Sequence, residues 1–514
     1  MDALESAREA RSRGLDRLVT TPLMVRMLVT LHLNNRRIPD QRADFFQKYA
    51  DALIQSAYHS DAAVAIRIST AGGSLPMQRS LLSRIAFEVH LRGEQGKSII
   101  SELELFDLVH SHLEETLGSE AESAANGFIK FTCQRGGLLK EAPGGFCFAD
   151  PAFEEFLTGR YFAETLRNPS EISAFLEQGG RITNSWWREP TVLCIGYLMS
   201  TSPDAAHELV SHLTGVGVEA AIIGDSVQLA KLEAVGEACL EWQIAGKLRL
   251  RVAEQIQGLL FGSSVHLDAP VQLRASAGRN LGLLGDSRAD VCCDVPSTVE
   301  IPDGHFPMGH PGDRWPVNLP SLQQSVVYET AVSRYAIGKY PVTNMQYGAF
   351  IVDGGYSDKG RRFWTNAGWA WKAAGKINGP AYWDGHAWTI PNHPVVGISW
   401  FEAVAYCNWL SSMTGRCFHL PTEAQWEKAA KGDQLRNWPW GDTFDVGMAD
   451  TSESGIGQTT CVGLFTEAAS MYGRYDCSGN VWNWCQTQFR GFGRYEPTDG
   501  REEISGVSPS ASTA

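Results

Sequence analysis

Long apolar runs are missing from this chain: none reaches the length that a bilayer-spanning helix needs. No signal peptide is expected either, because the opening residues MDALESAREARSRG are polar and helix-favouring, with no apolar core before a cleavage site. There is no basic excess. Lys and Arg number 44 against 58 Asp and Glu, a net charge of −14, which argues against a broad nucleic-acid or anionic-membrane footprint. The eleven cysteines include no CxxC pair, and an odd number scattered over 514 residues does not make a disulfide framework. Reduced, mostly buried thiols are expected, in a cytoplasmic protein that binds neither nucleic acid nor membrane.

A nucleotide-phosphate loop is also lacking. Gly96-Lys97-Ser98 matches the end of such a loop, but the glycine required five residues earlier is Leu91, and LLSRIAFEVH before it reads as helix rather than strand. A polar turn between helices is the expectation.

What is there is ordinary globular composition, 43% hydrophobic and 20% charged, in a chain too long for one core. The pattern changes near residue 295. Before it, helical grammar dominates. Thr21-Pro22 reads as an N-cap with proline at the first helical position. Phe45, Tyr49, Leu53 and Ser56 make a stripe at i, i+4 spacing, and LLSRIAFEVH and ELELFDLVHSHLEETL repeat the pattern. Phe146, Phe148, Phe153 and Phe156 read as core aromatics at helical spacing. After residue 295, Gly and Pro rise and most of the sixteen Trp appear, which predicts a loop-rich fold.

Within the first part, TTPLMVRMLVTLHLNNRRIPDQRADFFQKYADALI and FCFADPAFEEFLTGRYFA resemble the helical region that follows the nucleotide-binding domain of NACHT-type signalling NTPases, with Asp150 where His is usual. WWREPTVLCIGYLM and VQLRASAGRNLGLLGD look like helical-repeat sequence.

In the later part, Ser399 with Glu402 and Thr422 with Gln425 make two capping boxes, and Gly415 and Gly432 are natural stops. Helices are predicted at 400–413 and 423–431, the first burying Ala403, Tyr406, Cys407 and Leu410, the second Trp426 and Ala429. Thr343 is a candidate N-cap. Seven landmarks follow in order: Ile301-Pro302, Met308-Gly309, Tyr340 to Asn344, Pro394 to Trp400, Leu420 to Glu427, Pro439 to Asp442, and Gly479 to Trp482. Together they resemble the formylglycine-generating-enzyme (sulfatase-modifying factor) family. The resemblance implies an α+β, C-type-lectin-like domain with little regular secondary structure. His419, Cys461 and Asn483 depart from the family's usual Arg, Pro and Glu, and the family's R-G-G-S segment is not found before Ala514.

The fold expected is therefore multidomain, with an all-α N-terminal half and then the α+β lectin-like domain. The divisions expected are 1–170 (NACHT-associated helices, no phosphate loop), 171–295 (helical-repeat-like) and 296–514 (formylglycine-generating-enzyme-like, incomplete at its C-terminus).

The resemblance also implies structural calcium, an ion that takes six to eight hard oxygens from irregular loops. Carried over by position, a first site falls on Asp450, Thr451, Ser454 and the carbonyl of Ile456, with Glu453 nearby. A second falls on Asp476, the carbonyls of Gly479 and Val481, and Asn483, where loss of the usual Glu removes a charge. The family's enzymes bind copper(I) through two cysteines after R-G-G-S, soft thiolates suiting that ion. Cys477 and Cys485 precede that point and read as buried thiols.

The function expected is non-catalytic recognition of a protein or small-molecule ligand, on a NACHT-type signalling protein and in the manner of a diversity-generating-retroelement variable protein. Trp364, Trp369, Trp371, Trp383 and Trp388, in the aromatic insert between Gly355 and Pro391, are the candidate binding surface, with most of the insert's aromatics buried. The alternative is an oxidase that converts a cysteine of sulfatase-type substrates to formylglycine, using copper, with its catalytic end outside this chain.

Overall fold

The computed structural model describes residues 27, 29, 31, 41–60, 75–130, 132–133, 138–166, 168–215, 226–242, 246–262, 268–309, 327–385, 387–488, 495–496 and 498–503, without the side chains of 53–60 and 75. The chain forms two compact units, Met1–Val252 and Ala253–Ala514. The described residues are rich in helix, with few strands and no closed barrel. No described helix is long and apolar enough to cross a membrane. The Thr21-Pro22 cap and the side chains of Leu53 and Ser56 lie outside the described residues.

In the first unit the described helices are α1 (Arg42–Ser60), α2 (Leu75–Gly93), α3 (Glu102–Leu117), α4 (Ala121–Lys130), α5 (Pro151–Tyr161), α6 (Pro169–Glu177), α7 (Arg188–Thr201), α8 (Pro203–Thr214) and α9 (Ser226–Glu241). Local chemistry sets their starts. Ser101 and Glu104 form a reciprocal capping box on α3, and Asp150 caps α5 by accepting from the Ala152 N–H, with Pro151 at the first turn. Gly96 sits in a turn between α2 and α3 at φ +80°, so the Gly-Lys-Ser triplet does not lead from a strand into a helix. Phe45 and Tyr49 are buried as the stripe predicts, and Phe46 stacks on Phe156 at 5.5 Å.

One expectation of this half is corrected. Phe146 and Phe148 are not on a helix. They lie on β2 (Gly145–Phe148), antiparallel to β1 (Leu139–Ala142), with Leu139 opposite Phe148. Pro143 and Gly144, the latter at φ +99°, make the tight turn that joins the strands, and Gly145 opens β2 opposite Ala142. Only Phe153 and Phe156 are helical.

The second unit contains α10 from Ala253 onward (the helix is Lys247–Phe261), α11 (Val271–Leu284), α12 (Asn344–Val352), α13 (Asn366–Gly375), α14 (Trp400–Thr414) and α15 (Glu423–Lys431). Its strands form two antiparallel pairs: β3 (Thr298–Ile301) with β6 (Tyr335–Gly338), and β4 (Gly304–Met308) with β5 (Tyr328–Val332). Capping boxes at Thr343/Gln346, Ser399/Glu402 and Thr422/Gln425 start α12, α14 and α15.

The main core gathers on α14. Trp409, Tyr406, Phe401, Tyr347 and Phe350 pack there at 5% exposure or less. Cys407, expected on the buried face, is only half-buried. The Glu402 carboxylate accepts from Ser399 N–H at 2.7 Å and from the Tyr356 hydroxyl at 2.6 Å, and Tyr356 pairs with Tyr347 at 2.9 Å. One side chain thus caps the helix and satisfies a buried phenol. Trp426 is half-buried, while Ala429 is fully buried against Ile301 and Ile337.

Helix α11 lies on this unit through its small residues. A Cβ on Gly278 would come within 2.4 Å of Cys461 Sγ, and one on Gly282 within 2.1 Å of Asn392 Oδ1. Asn392 donates to the Gly278 carbonyl at 3.1 Å and to Asp286 at 2.9 Å. Arg288, paired with Asp286, donates to the Val462 carbonyl at 2.9 Å.

Candidate functional site

Four segments of the second unit meet in the loop region 445–483. Residues 445–455 form short turns. Asp445 accepts from the Gly447 N–H at 2.7 Å, and Gly455 closes the next turn at φ +67°. Helix α11 holds these turns from outside: Gln272 Nε2 donates to the Ser454 carbonyl at 2.7 Å and Arg274 to the Gly447 carbonyl at 3.1 Å.

Inside the loop, three of the residues expected in the first set converge. The Ser454 hydroxyl donates to the Thr451 carbonyl at 2.7 Å and lies 3.5 Å from Asp450 Oδ1. Asp450 and Ser454 are both buried. Asp450 Oδ2, Thr451 Oγ1 and Thr460 Oγ1 are buried oxygens that make no hydrogen bond of good geometry, although the Thr460 hydroxyl lies close enough to lower the pKa of the Asp450 carboxyl and the Thr451 hydroxyl to lower that of Glu453. Buried polar atoms are rarely left so, and a cluster of them suits a hard cation. Burial pushes the Asp450 carboxyl up to about 6, opposed by Ser454 and reinforced by the nearby Asp476 charge. Ile456 is half-buried in the same loop, while Glu453 is exposed and accepts from the Ser452 hydroxyl. Among the described residues no three His, Cys, Asp or Glu side chains gather as a metal-ligand group, so an ion here must rest mainly on neutral oxygens.

The second set is arranged differently. Asp476 Oδ2 accepts from Gly463 N–H at 2.7 Å and Oδ1 from Asn480 at 3.4 Å. The Gly479 carbonyl accepts from Val481 N–H at 2.9 Å, and the Val481 carbonyl from Asn483 Nδ2 at 3.4 Å. Asn483 Oδ1 accepts twice, from Trp426 Nε1 at 2.9 Å and from Arg474 at 3.1 Å. Each of these oxygens has a donor, none is left orphaned as in the first set, and Asn483 is neutral, so nothing in this set calls for a second calcium.

The two sets are joined by backbone. Asn480 N–H donates to the Asp450 carbonyl at 2.8 Å, and Gly479 lies against the same carbonyl at φ +80°. Sequence reasoning missed Thr460, although it lies in the segment whose usual Pro is Cys461. It also missed Arg474, for which YGRYDC gave no signal. His393 is buried, with Nδ1 at 3.0 Å from Thr459 Oγ1, and burial pushes its pKa down to about 3, so it is neutral.

All eleven cysteines are free thiols. Cys477 Sγ donates to the carbonyls of Arg474 and Tyr475, and burial pushes its pKa up. Burial also pushes Cys485 up to about 12. Copper(I) binds thiolates, and burial works against forming them at either cysteine in the ion's absence.

Of the candidate surface tryptophans, Trp364 is corrected. It is 4% exposed, and its Nε1 donates to the Gly355 carbonyl at 2.8 Å. Trp369, Trp371 and Trp383 are half-buried against the core of α14, and half-buried Trp388 lies 5.9 Å from the exposed Tyr382.

Residues 286–507 match the sulfatase-modifying factor enzyme 1-like domain. Among curated proteins, the chain is 34% identical over 179 residues to the hercynine oxygenase of Mycolicibacterium thermoresistibile, covering 32% of this chain and 38% of that protein. It is 30% identical over 214 residues to the hercynine oxygenase of Mycolicibacterium smegmatis, covering 39% and 48%. It is 36% identical over 226 residues to the formylglycine-generating enzyme of Thermomonospora curvata, covering 36% and 70%. The chain thus spans less than half the length of the two hercynine oxygenases. These relatives bear the names of catalysts. That overturns the expected non-catalytic recognition role on a NACHT-type signalling protein, and with it the retroelement-variable reading.

Proposed function

The chain belongs to the formylglycine-generating-enzyme family, and from that premise we propose that it serves an oxidation of a peptide cysteine to formylglycine. The observation that carries this reading is the likeness to the Thermomonospora curvata enzyme over 70% of that protein's length. A second reading, oxygenation of hercynine, is favoured by the two mycolicibacterial relatives. Copper would supply the oxygen chemistry in the first reading, and Cys477 and Cys485, thiols whose pKa burial raises, are given no step in it. The described residues would act as the frame: α14 and its aromatic core fix the domain, and the 450–480 turns brace the loops around it.

The test gives the full-length protein, with copper and oxygen, either a CxPxR peptide or hercynine with a thiol. The expected result is a peptide aldehyde, trapped by a hydrazide and read by mass spectrometry. Consumption of hercynine alone would transfer the assignment to the second reading. Turnover of neither, by folded protein, would sink both.

The first loop would hold one calcium ion through Asp450, Thr451, Ser454 and Ile456, with Thr460 as an added ligand. The ion is structural on this reading, because it ties together the turns of the 450–460 loop, which the Asn480 N–H bond to the Asp450 carbonyl links to the 476–480 turn. Its pH dependence has a definite sign. The folded carboxyl of Asp450 sits at about 6, above its unfolded value of ~3.9. Without metal, its contribution to stability is fully present below the unfolded value and is lost as pH rises through about 6. Calcium needs the ionised form, so the melting-point rise on adding calcium should be large at neutral pH and small at pH ~5. Asp450→Asn should melt higher than wild type in chelator at neutral pH and respond weakly to calcium. A wild type whose melting point ignores calcium throughout would refute the site.

A further inference from the structure

Arg474 is a buried cation for which the turn around it has been built. It is 4% exposed, its hydrogen bonds go to Asn483 and Cys477 rather than to a carboxylate, and its buried Nε has no hydrogen-bond partner. Its Nη2 donates to Asn483 Oδ1 at 3.1 Å, its Nη1 to Cys477 Sγ at 3.6 Å, and its guanidinium lies 5.0 Å from the Trp426 ring centroid. Trp426 also donates its Nε1 to the same Asn483 oxygen. A buried charge needs such compensation, from hydrogen bonds and from an aromatic face.

We propose that the guanidinium of Arg474 is the resident cation of the 476–483 turn and takes the place of a divalent ion there. The chemistry is a substitution of one positive centre for another. A calcium ion would be surrounded by Asp476, by the Gly479 and Val481 carbonyls and by residue 483. Here those oxygens are already accepting from N–H groups, and Asn483 is neutral where a carboxylate would be needed to balance a divalent charge. A guanidinium and a calcium ion held within one shell of ligands would repel each other strongly in a buried setting. Asn483 and Arg474 therefore belong together. The amide offers its oxygen to the guanidinium and carries no charge of its own.

The two cations make opposite demands on residue 483. Were the turn a weakened metal site, Asn483→Glu would restore it and the chain would bind one more calcium ion. With Arg474 resident, the new carboxylate pairs with the guanidinium instead. Calcium binding is counted on the full-length protein by calorimetry, with tryptophan-sensitised terbium luminescence as a second probe. Asn483→Glu should bind as many ions as wild type and melt higher by the same amount in calcium and in chelator. Arg474→Leu combined with Asn483→Glu should bind one ion more than wild type. An added ion in Asn483→Glu alone overturns the proposal, as does an ion lost from wild type on Asp476→Asn. A folded double variant that gains no ion also overturns it; if the double variant does not fold, the two single variants decide. The Asp450 loop is judged separately: a wild type that binds no ion refutes that loop, and the differences between variants still decide this one.

Discussion

Gly479→Ala is expected to lower the melting point of the second unit and to abolish its response to calcium together. The added methyl would lie 2.2 Å from the Asp450 carbonyl oxygen, 2.9 Å from its carbon and 3.2 Å from its nitrogen. All three are backbone atoms, so no rotamer change relieves the overlap. The residue also sits at φ +80°, where a side chain adds roughly 1–2 kcal/mol of strain. Relief requires the 476–480 turn to move away from Asp450, which breaks the Asn480 N–H bond to that carbonyl, 2.8 Å long. Asp450 and Thr451 then leave the position that gathers them with Ser454. Gly473 supplies the control: it has the same φ of +80° but open space around it. Gly473→Ala should show the strain alone, a small drop in melting point with the calcium response intact. Calorimetric melts of both variants, with calcium and with chelator, are the measurement. Equal behaviour of the two would mean that the close approach at Gly479 does not matter.

Trp409→Ala should cost the second unit about 3–5 kcal/mol, the range for emptying a large aromatic site. Trp409 is 1% exposed and packs at 5.7 Å from Phe350 and 5.6 Å from Tyr406. Its neighbours are rings held by other rings, so the hole closes poorly. Its Nε1 donates to Asp353 at 2.8 Å, but Asp353 is exposed and can turn to water, so the loss is mainly one of packing. Val352, 89% exposed, is the control, with Val352→Ala expected within about 0.5 kcal/mol of wild type. Urea titration followed by tryptophan fluorescence would measure both. A Trp409→Ala midpoint close to wild type would contradict the central place given to α14.

The starts of α14 and α15 were legible because a capping box is local: Ser399 meets Glu402, and Thr422 meets Gln425, within one turn. The hairpin at 139–148 was not legible. FCF and AFEEF share aromatics at spacings that fit either period, and only the Pro143-Gly144 turn before the first and the Asp150 cap before the second tell strand from helix. The first oxygen set was legible through resemblance, and its members lie within seven residues of one another, so a matched loop brought the residues with it. The state of the second set depends on Arg474 and on Trp426, some fifty residues before Asn483. No local pattern reports that a guanidinium turns inward. Burial of Trp364 was likewise hidden, since an aromatic in a loop-rich domain can be either core or surface until its neighbours are known.

Composition and family likeness both place an edge near residues 286–296, yet that edge runs through packed material. Helix α11 covers Cys461 with Gly278 and Asn392 with Gly282, and its Gln272 and Arg274 hold the turns at 447 and 454. A protein expressed from residue 286 onward would lose that cover. It would present Cys461, Leu464 and Ile390 to water, all of them buried in the intact chain, and would free the carbonyls of Ser454 and Gly447. For anyone cutting this gene into pieces, the working start codon belongs ahead of Ala253, where the second compact unit begins.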